Sequence, residues 1–403
     1  MWASLAFALG WAILMRLRLT TGATDVPHYF AYGEAMRRGL VPYRDFAVEY
    51  PPGALAAFGL PALVATTHHG YRVAFELVMG LAGIVVVVAT AVTLDSLRLR
   101  ARWRLLFVGA AVLILGPITL GHFDLFPAAL VAASFAALLS SRPRLAGVLL
   151  GLAIAVKIYA VVFVPLVVVW LWRRDSRAAR RWTLGASVAV VLCFLPFAIV
   201  SPGGLLDSLQ GQLNRPLQIE SSAAAVLLAA HQLFSFPIGV AFSHTSVNLG
   251  GGRATAAATA STVAEIALLL LLWIEFGRKR PQAADLMRFS TAALLTFVVL
   301  GKVLSPQFML WLIPMVVLLD GALGLVGPIG VGLAVVLTRL YFPRHWPAIV
   351  QLHSTATWYL IARDAVLLGL LVVIVATIFR RPAAARYRVP SATSQVAGTP
   401  RRM

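Results

Sequence analysis

Apolar runs recur along almost the whole chain, at Trp2–Met15, Val73–Leu94, Leu105–Thr119, Pro127–Leu139, Leu145–Trp172, Leu184–Val200, Ala256–Ile274, Ala292–Leu300, Met309–Leu319, Leu323–Leu340 and Ala365–Phe379. Several approach the roughly 20 residues that an α-helix needs to cross a bilayer. Inside hydrocarbon every peptide N–H and C=O must be paired within its own segment, so such runs fold as helices. Hydrophobic residues form 60% of the 403 and charged ones 12%, a balance outside the soluble globular range. The expected fold is an all-α polytopic membrane protein, a bundle of about 10–13 transmembrane or re-entrant helices joined by outer-face loops. No small-residue cleavage site follows Trp2–Met15, which reads as a retained helix.

The formal net charge of +19 is concentrated in four membrane-flanking clusters. These are Arg98, Arg100, Arg102 and Arg104; Arg173, Arg174, Arg177, Arg180 and Arg181; Arg278, Lys279 and Arg280; and six arginines between Arg380 and Arg402. Such clusters mark the cytoplasmic side of a bilayer. No aromatic-interleaved basic groove accompanies them, which argues against a nucleic-acid partner. The single cysteine, Cys193, forms no internal disulfide, and no CxxC or His/Cys pattern suggests a metal. Residues 1–379 read as one membrane domain, and 380–403 as a disordered basic cytoplasmic tail.

With the clusters inside, the loops holding Asp25–Glu49, Gly121–Asp124, Ser201–Val247, Lys302–Gln307 and Tyr341–Trp358 face outward. Leu145–Trp172 lies between two inside signals, Arg142/Arg144 and Arg173/Arg174, and is expected to form a hairpin or re-entrant pair around Lys157. Pro51–Thr66 is read as re-entrant or interfacial. The insertion from Ser201 to about Arg253 is expected to be a short interfacial helix between flexible loops.

The first outer loop carries the chemistry. Thr24–Gly53 contains Asp25, Glu34, Asp45 and Glu49, four of only 15 acidic residues. Carboxylates beside a bilayer are costly, and a cluster of them implies use. Asp25 precedes Pro27, so it suits an N-cap as well as a general base. Transfer of a sugar with inversion needs one carboxylate to take the acceptor hydroxyl's proton, and a phosphate leaves without being protonated. Glu49 and Tyr50 stand before the tandem prolines, which hold the backbone extended and aim both side chains at a substrate; the alternative is an ordinary helix start with an interfacial tyrosine. Glu34 and Asp45, close to Arg37, Arg38 and Arg44, read as solvated ion pairs.

His122 and Asp124 occupy the turn GHFDLF, either capping a hairpin or holding sugar hydroxyls and orienting Asp25. Two residues at i and i+2 are too few for a metal site. Lys157 and Lys302 lie in apolar surroundings, where a lysine either snorkels or neutralises a phosphate. Ser305, Pro306 and Gln307 interrupt a helix and offer polar groups at that level. Arg215 is a further candidate contact, with Arg339, Arg344 and Arg363 behind it.

The ordered set DVPHYF, PYRDF, EYPPG, GHFD, AGVLLGLAIAVKIY and GKVLSPQFMLWLIP resembles glycosyltransferase family 87, from about Trp2 to Phe379. That family belongs to the GT-C superfamily of membrane transferases that use polyprenyl-phosphate sugars. The resemblance implies a GT-C-type bundle with Asp25 in the place of the catalytic aspartate. It implies a polyprenyl-phosphate donor, most often of mannose, a lipid or glycolipid acceptor, and an inverted, α-linked product formed without cofactor and usually without metal. The setting would be a bacterial plasma membrane, with the site facing outside. Lys302 or Lys157 would hold the phosphate, while Tyr50, His122 and Asp124 would shape the sugar pocket. Many relatives carry GQ or GN before a polar residue where this chain has Gly121-His122-Phe123-Asp124, so the carry-over is more direct for Asp25. A transporter or flippase of lipid-linked saccharides is the alternative outside enzymes. It would call for matching half-helix repeats, and the chain shows none. Arabinofuranose is the alternative sugar.

Overall fold

The computed structural model describes residues 2–17, 24–99 and 102–380; the tail expected to be disordered lies, but for Arg380, outside the described residues. The apolar runs are helical, and the connections between them carry the polar residues. The first part of the chain forms α1 (Trp2–Leu17), α2 (Val26–Arg37), α3 (Leu55–Val64), α4 (His68–Ser96), α5 (Arg102–Leu115), α6 (Pro117–Gly121) and α7 (Leu125–Leu139). The middle forms α8 (Pro143–Val156), α9 (Val164–Trp172), α10 (Ser176–Val200), α11 (Pro202–Leu213) and α12 (Ser222–Phe234). A hairpin of β1 (Gly239–Ser243) and β2 (Ser246–Gly250) follows, paired antiparallel with Ser243 opposite Ser246. The chain continues through α13 (Gly252–Arg278), α14 (Ala283–Leu300), α15 (Met309–Val316), α16 (Leu323–Tyr341), α17 (Trp346–Val350) and α18 (Ser354–Phe379).

Among the described residues, six helices are long and apolar enough to cross a membrane: α4, α10, α13, α14, α16 and α18. Eight more apolar helical segments are shorter, at 10–17 residues. The chain is thus an all-α polytopic membrane protein in which several segments stop part-way and turn. Lys157 marks one such stop. Its backbone is extended (φ −156°, ψ 120°), and a 3₁₀ turn, Ile158–Phe163, leads from it into α9. Gly147 and Gly151 of α8 lie against the backbone of Trp182 and Ala186 on α10, while Gly185 meets Arg144. Only small residues four apart permit such close approach of two helix backbones. The order of these contacts makes α8 and α10 parallel, so α9 runs back between their ends. The hairpin around Lys157 is therefore real, and Arg142, Arg144 and Arg181 share one end of it.

The other cationic segments gather at that end. Arg173 donates to the carbonyls of Gly277 and Lys279. Lys279 donates to Ile378 O (2.9 Å), Arg288 pairs with Asp320 (2.7 Å), and Arg104 Nη1 donates to Val317 O and Leu319 O, each at 2.6 Å. The break at Lys157 and the end of α14 lie at the opposite end. These clustered cations lie at the end away from the first loop, which has Arg37, Arg38 and Arg44 paired with its own acids.

The insertion after Ser201 is more ordered than the sequence suggests. It holds α11, α12 and the hairpin, and Gln218 fastens it to the break after α14. The Gln218 N–H donates to Lys302 O (3.0 Å), while its side-chain oxygen accepts from the Leu304 N–H (3.0 Å). The two strands correct the expectation of flexible loops. Their tip turns on His244 and Thr245, both at φ 52°, the left-handed pair that a two-residue hairpin connection requires.

Candidate active site

Asp25 stands at the start of α2 but does not cap it with its side chain (φ −88°, ψ −3°). Pro27 supplies no N–H in the first turn, and the Val26 N–H is taken by Thr24 Oγ1 at 3.2 Å. The carboxylate is therefore released from helix capping. Its backbone N–H donates to Gly121 O (3.1 Å), which ties the first loop to the GHFD turn. The Tyr29 hydroxyl donates to Asp25 Oδ2 at 3.1 Å, and His122 Nε2 lies 3.6 Å from the same oxygen. The His122 Nδ1–H donates to Ile118 O (2.8 Å), so the ring is held with Nε2 facing the carboxylate. Asp25 retains 37% side-chain exposure, against 7% for His122. Among the described residues nothing engages Oδ1.

An aromatic wall frames this carboxylate. Tyr29 stacks on Phe58 with centroids 4.5 Å apart, and Tyr50 meets Phe123 edge-on at 5.0 Å and Phe58 at 5.4 Å. Burial pushes the Tyr29 and Tyr50 phenols well above their ordinary values, with the Asp25 charge adding to the effect. Both stay protonated as donors. The YPPG segment is positioned by Gly53, where a Cβ would come within 2.6 Å of the Ala155 backbone, so the segment rests directly on the end of α8. Tyr50 is half-buried, and its carbonyl accepts from the Tyr43 hydroxyl (2.6 Å).

Asp124 and Lys157 form the floor. Lys157 Nζ lies 2.7 Å from Asp124 Oδ1, and Asp124 is 1% exposed. The ammonium also faces the rings of Phe123 (4.9 Å), Trp311 (4.9 Å) and Phe308 (5.3 Å). Asp124 is thus paired with a lysine through Oδ1, its Oδ2 has no partner among the described residues, and Lys157 keeps 17% side-chain exposure.

Glu49 accepts from Thr245 Oγ1 (2.9 Å), and its carbonyl accepts from Gln212 (2.8 Å), so the hairpin tip closes on the first loop. Arg215 Nη2 donates to His244 O (3.0 Å), and its Nε is buried without a partner. Burial lowers the Arg215 guanidinium from its ordinary value, opposed by the negative charges of Glu49 and Asp25 close by. Arg215 therefore keeps a donor, Nε, without a partner among the described residues, near the hairpin tip. The Lys302 Nζ donates to Leu213 O (2.6 Å), and burial lowers it too despite Glu265. Gln307 is half-buried and precedes Phe308, whose ring faces Lys157 at 5.3 Å. Glu34 pairs with Arg38 (2.6 Å) and Asp45 with Arg44 (2.9 Å), the solvated pairs that their spacing suggests.

A buried cluster lies behind the insertion, of which the sequence reading singled out only Arg363. Glu220, 3% exposed, accepts from the Tyr341 hydroxyl (3.0 Å) and from Gln218 (3.1 Å). Arg363, fully buried, donates to the Glu220 carbonyl and to Asp364 (2.7 Å). An acid within a polar loop gives no sign in sequence that a helix 143 residues later will bury it.

The family model of glycosyltransferase family 87 matches residues 48–306, more than half of the chain. The chain belongs to glycosyltransferase family 87. It is a membrane glycosyltransferase, with a sugar donor and an acceptor in the membrane. The family 87 match takes in Glu49, Tyr50, His122, Asp124, Lys157, Arg215 and Lys302, and begins 23 positions after Asp25. No curated protein matches the chain. Among the described residues no three His, Cys, Asp or Glu side chains gather as metal ligands would.

Proposed function

We propose that this family 87 enzyme moves a sugar, mannose by preference, from a polyprenyl-phosphate donor to a hydroxyl of a lipid or glycolipid, with Asp25 as general base. The observation that carries the reading is the state of Asp25: a carboxylate released from capping, 37% exposed, held on one oxygen and open on the other. A base must reach the proton it removes, and an open Oδ1 beside a rigid aromatic wall does so. The acceptor oxygen attacks the anomeric carbon as its proton passes to Asp25. The bond from that carbon to the phosphate oxygen breaks, and the electron pair leaves on the polyprenyl phosphate, inverting the centre.

Arg215 meets the departing phosphate, since its unpartnered Nε and fork of donors lie within electrostatic reach of Asp25. Lys302 extends the positive rim. The half-buried Tyr50 ring offers the sugar an apolar face. The end carrying Asp25 faces outside and the basic end faces the cytoplasm, as the positive-inside bias directs. No nucleotide, cofactor or metal enters this scheme. The test uses purified protein in nanodiscs with labelled polyprenyl-phosphate mannose and a membrane-lipid extract, wild type beside Asp25→Asn. Label is expected in a new glycolipid with wild type only. Transfer at the wild-type rate by the variant would sink the proposal.

A further inference from the structure

At the end of α8 away from Lys157, Arg142, Pro143, Arg144, Leu145, Val148 and Arg181 line an open cleft of about 600 Å³. The 14 residues of α8 separate it from the Lys157 break by about 21 Å along the helix axis, so it belongs to the opposite membrane face. Its three arginines are exposed, and among the described residues none forms an ion pair. Asp175, the nearest acid along α10, is occupied in capping that helix through the Arg177 N–H (2.8 Å). The first turn of α8 adds free backbone N–H groups, because Ala146 is the first residue to donate back, to Arg142 O.

Below the arginines the lining turns apolar. Leu145 is 44% exposed, and beside it α10 presents an outward stripe of Leu184 (62%), Val188 (45%) and Leu192 (67%). A soluble anion has no use for this lower half, and a peptide has no reason to lie at the rim of a bilayer. We propose that the cleft seats the headgroup phosphate of an anionic phospholipid, with one acyl chain running down the α8–α10 groove. The arginines hold the phosphate by charge-assisted hydrogen bonds, and the groove holds the chain by apolar contact. The site is separate from the transfer chemistry and does not depend on it.

The test is native mass spectrometry of the full-length protein from micelles doped with phosphatidylglycerol or phosphatidylcholine. Wild type is expected to retain phosphatidylglycerol in preference. Retention should fall about 5-fold for each arginine lost in Arg142→Gln and Arg144→Gln, and about 25-fold for the pair. Arg278→Gln with Arg280→Gln removes the same charge elsewhere and should leave retention near wild type. Leu145→Trp keeps every charge but fills the groove, and should also lower retention, which decides the matter if the arginine pair is misfolded by thermal melt. Equal loss in both arginine pairs would overturn the proposal in favour of diffuse surface charge. Equal displacement by water-soluble glycerol phosphate would overturn it in favour of a free anion.

Discussion

Asp25 and Asp124 belong to one aromatic enclosure, and both charges reach the same two phenols, Tyr29 and Tyr50. Their situations are opposite. Asp124 is 1% exposed and bound to an ammonium at 2.7 Å, under three aromatic rings that face the same lysine. Asp25 is 37% exposed, and its polar partners are a phenol and an imidazole. A buried carboxylate matched by a cation contributes architecture, because removing either partner strands the other. A carboxylate held on one oxygen and open on the other can still reach the proton of a substrate hydroxyl. Of such a pair, the acid free to serve as a base is the one that no cation holds in an ion pair, which is why the proposal rests on Asp25.

Neutralising each aspartate is the sharpest way to break the comparison. Asp25→Asn is expected to lower turnover by about 10²–10⁴-fold while the thermal midpoint in nanodiscs stays near wild type. Asp124→Asn should show the reverse weighting, with lost stability dominating. Were both variants to lose stability together, Asp25 would be architectural as well. Lys157→Met leaves Asp124 buried without its cation and should cost about 3–5 kcal/mol of stability. Combining it with Asp124→Asn should restore most of that loss, read as a double-mutant cycle on thermal midpoints. Purely additive losses would mean that the pair is not coupled.

Arg215 extends the contrast to the leaving group. Arg215→Ala is expected to lower kcat/KM for the polyprenyl-phosphate donor by roughly 10–100-fold, the scale of a charged hydrogen bond. Arg215→Lys should recover only part, since an ammonium keeps the charge but not the fork. An unchanged kcat/KM in Arg215→Ala would assign the phosphate to Lys302 instead.

Asp25 stood out as a candidate because its neighbourhood was unusual for a membrane chain: four acids in one loop after an apolar run, with a proline two positions on. The bundle was legible from the apolar runs, and the turn-back at Lys157 from cations at both ends of one run. What stayed hidden are the pairings. Nothing local announces that Asp124 lies against Lys157, 33 positions away, or that the hairpin tip brings Thr245 to Glu49 across 196. The strands were hidden for a different reason. Their outer residues are alternately small, apolar and polar, and the ladder is fixed by the Asn248 side chain bonding across the tip to Ser243 (2.9 Å). Arg215 gave a partial signal, a cation beside proline in an otherwise neutral loop, but its reach to Asp25 depends on how that loop folds back.

The Glu220 cluster offers the finest test, because it resembles the Asp124 floor in burial and departs from it in charge matching. Burial pushes the Glu220 carboxyl up to about 8, against the opposing pull of Arg363 and of the Tyr341 hydroxyl. The folded protein therefore keeps a proton that the unfolded chain, titrating near the ordinary 4.5, has already released. Between those two values the folded state binds more protons, so stability is full below the lower one and declines as pH rises toward about 8. One proton limits the slope to about 1.4 kcal/mol per pH unit, which makes this the smallest of the expected effects at any single step. Glu220→Gln removes the titrating group while keeping an oxygen for the Tyr341 hydroxyl. Thermal midpoints from pH 5 to 8 should then lose that part of the decline, while Asp124→Asn leaves it in place. A slope that survives in Glu220→Gln would show that Arg363 already holds the carboxyl ionised, and that the floor and this cluster are matched in the same way.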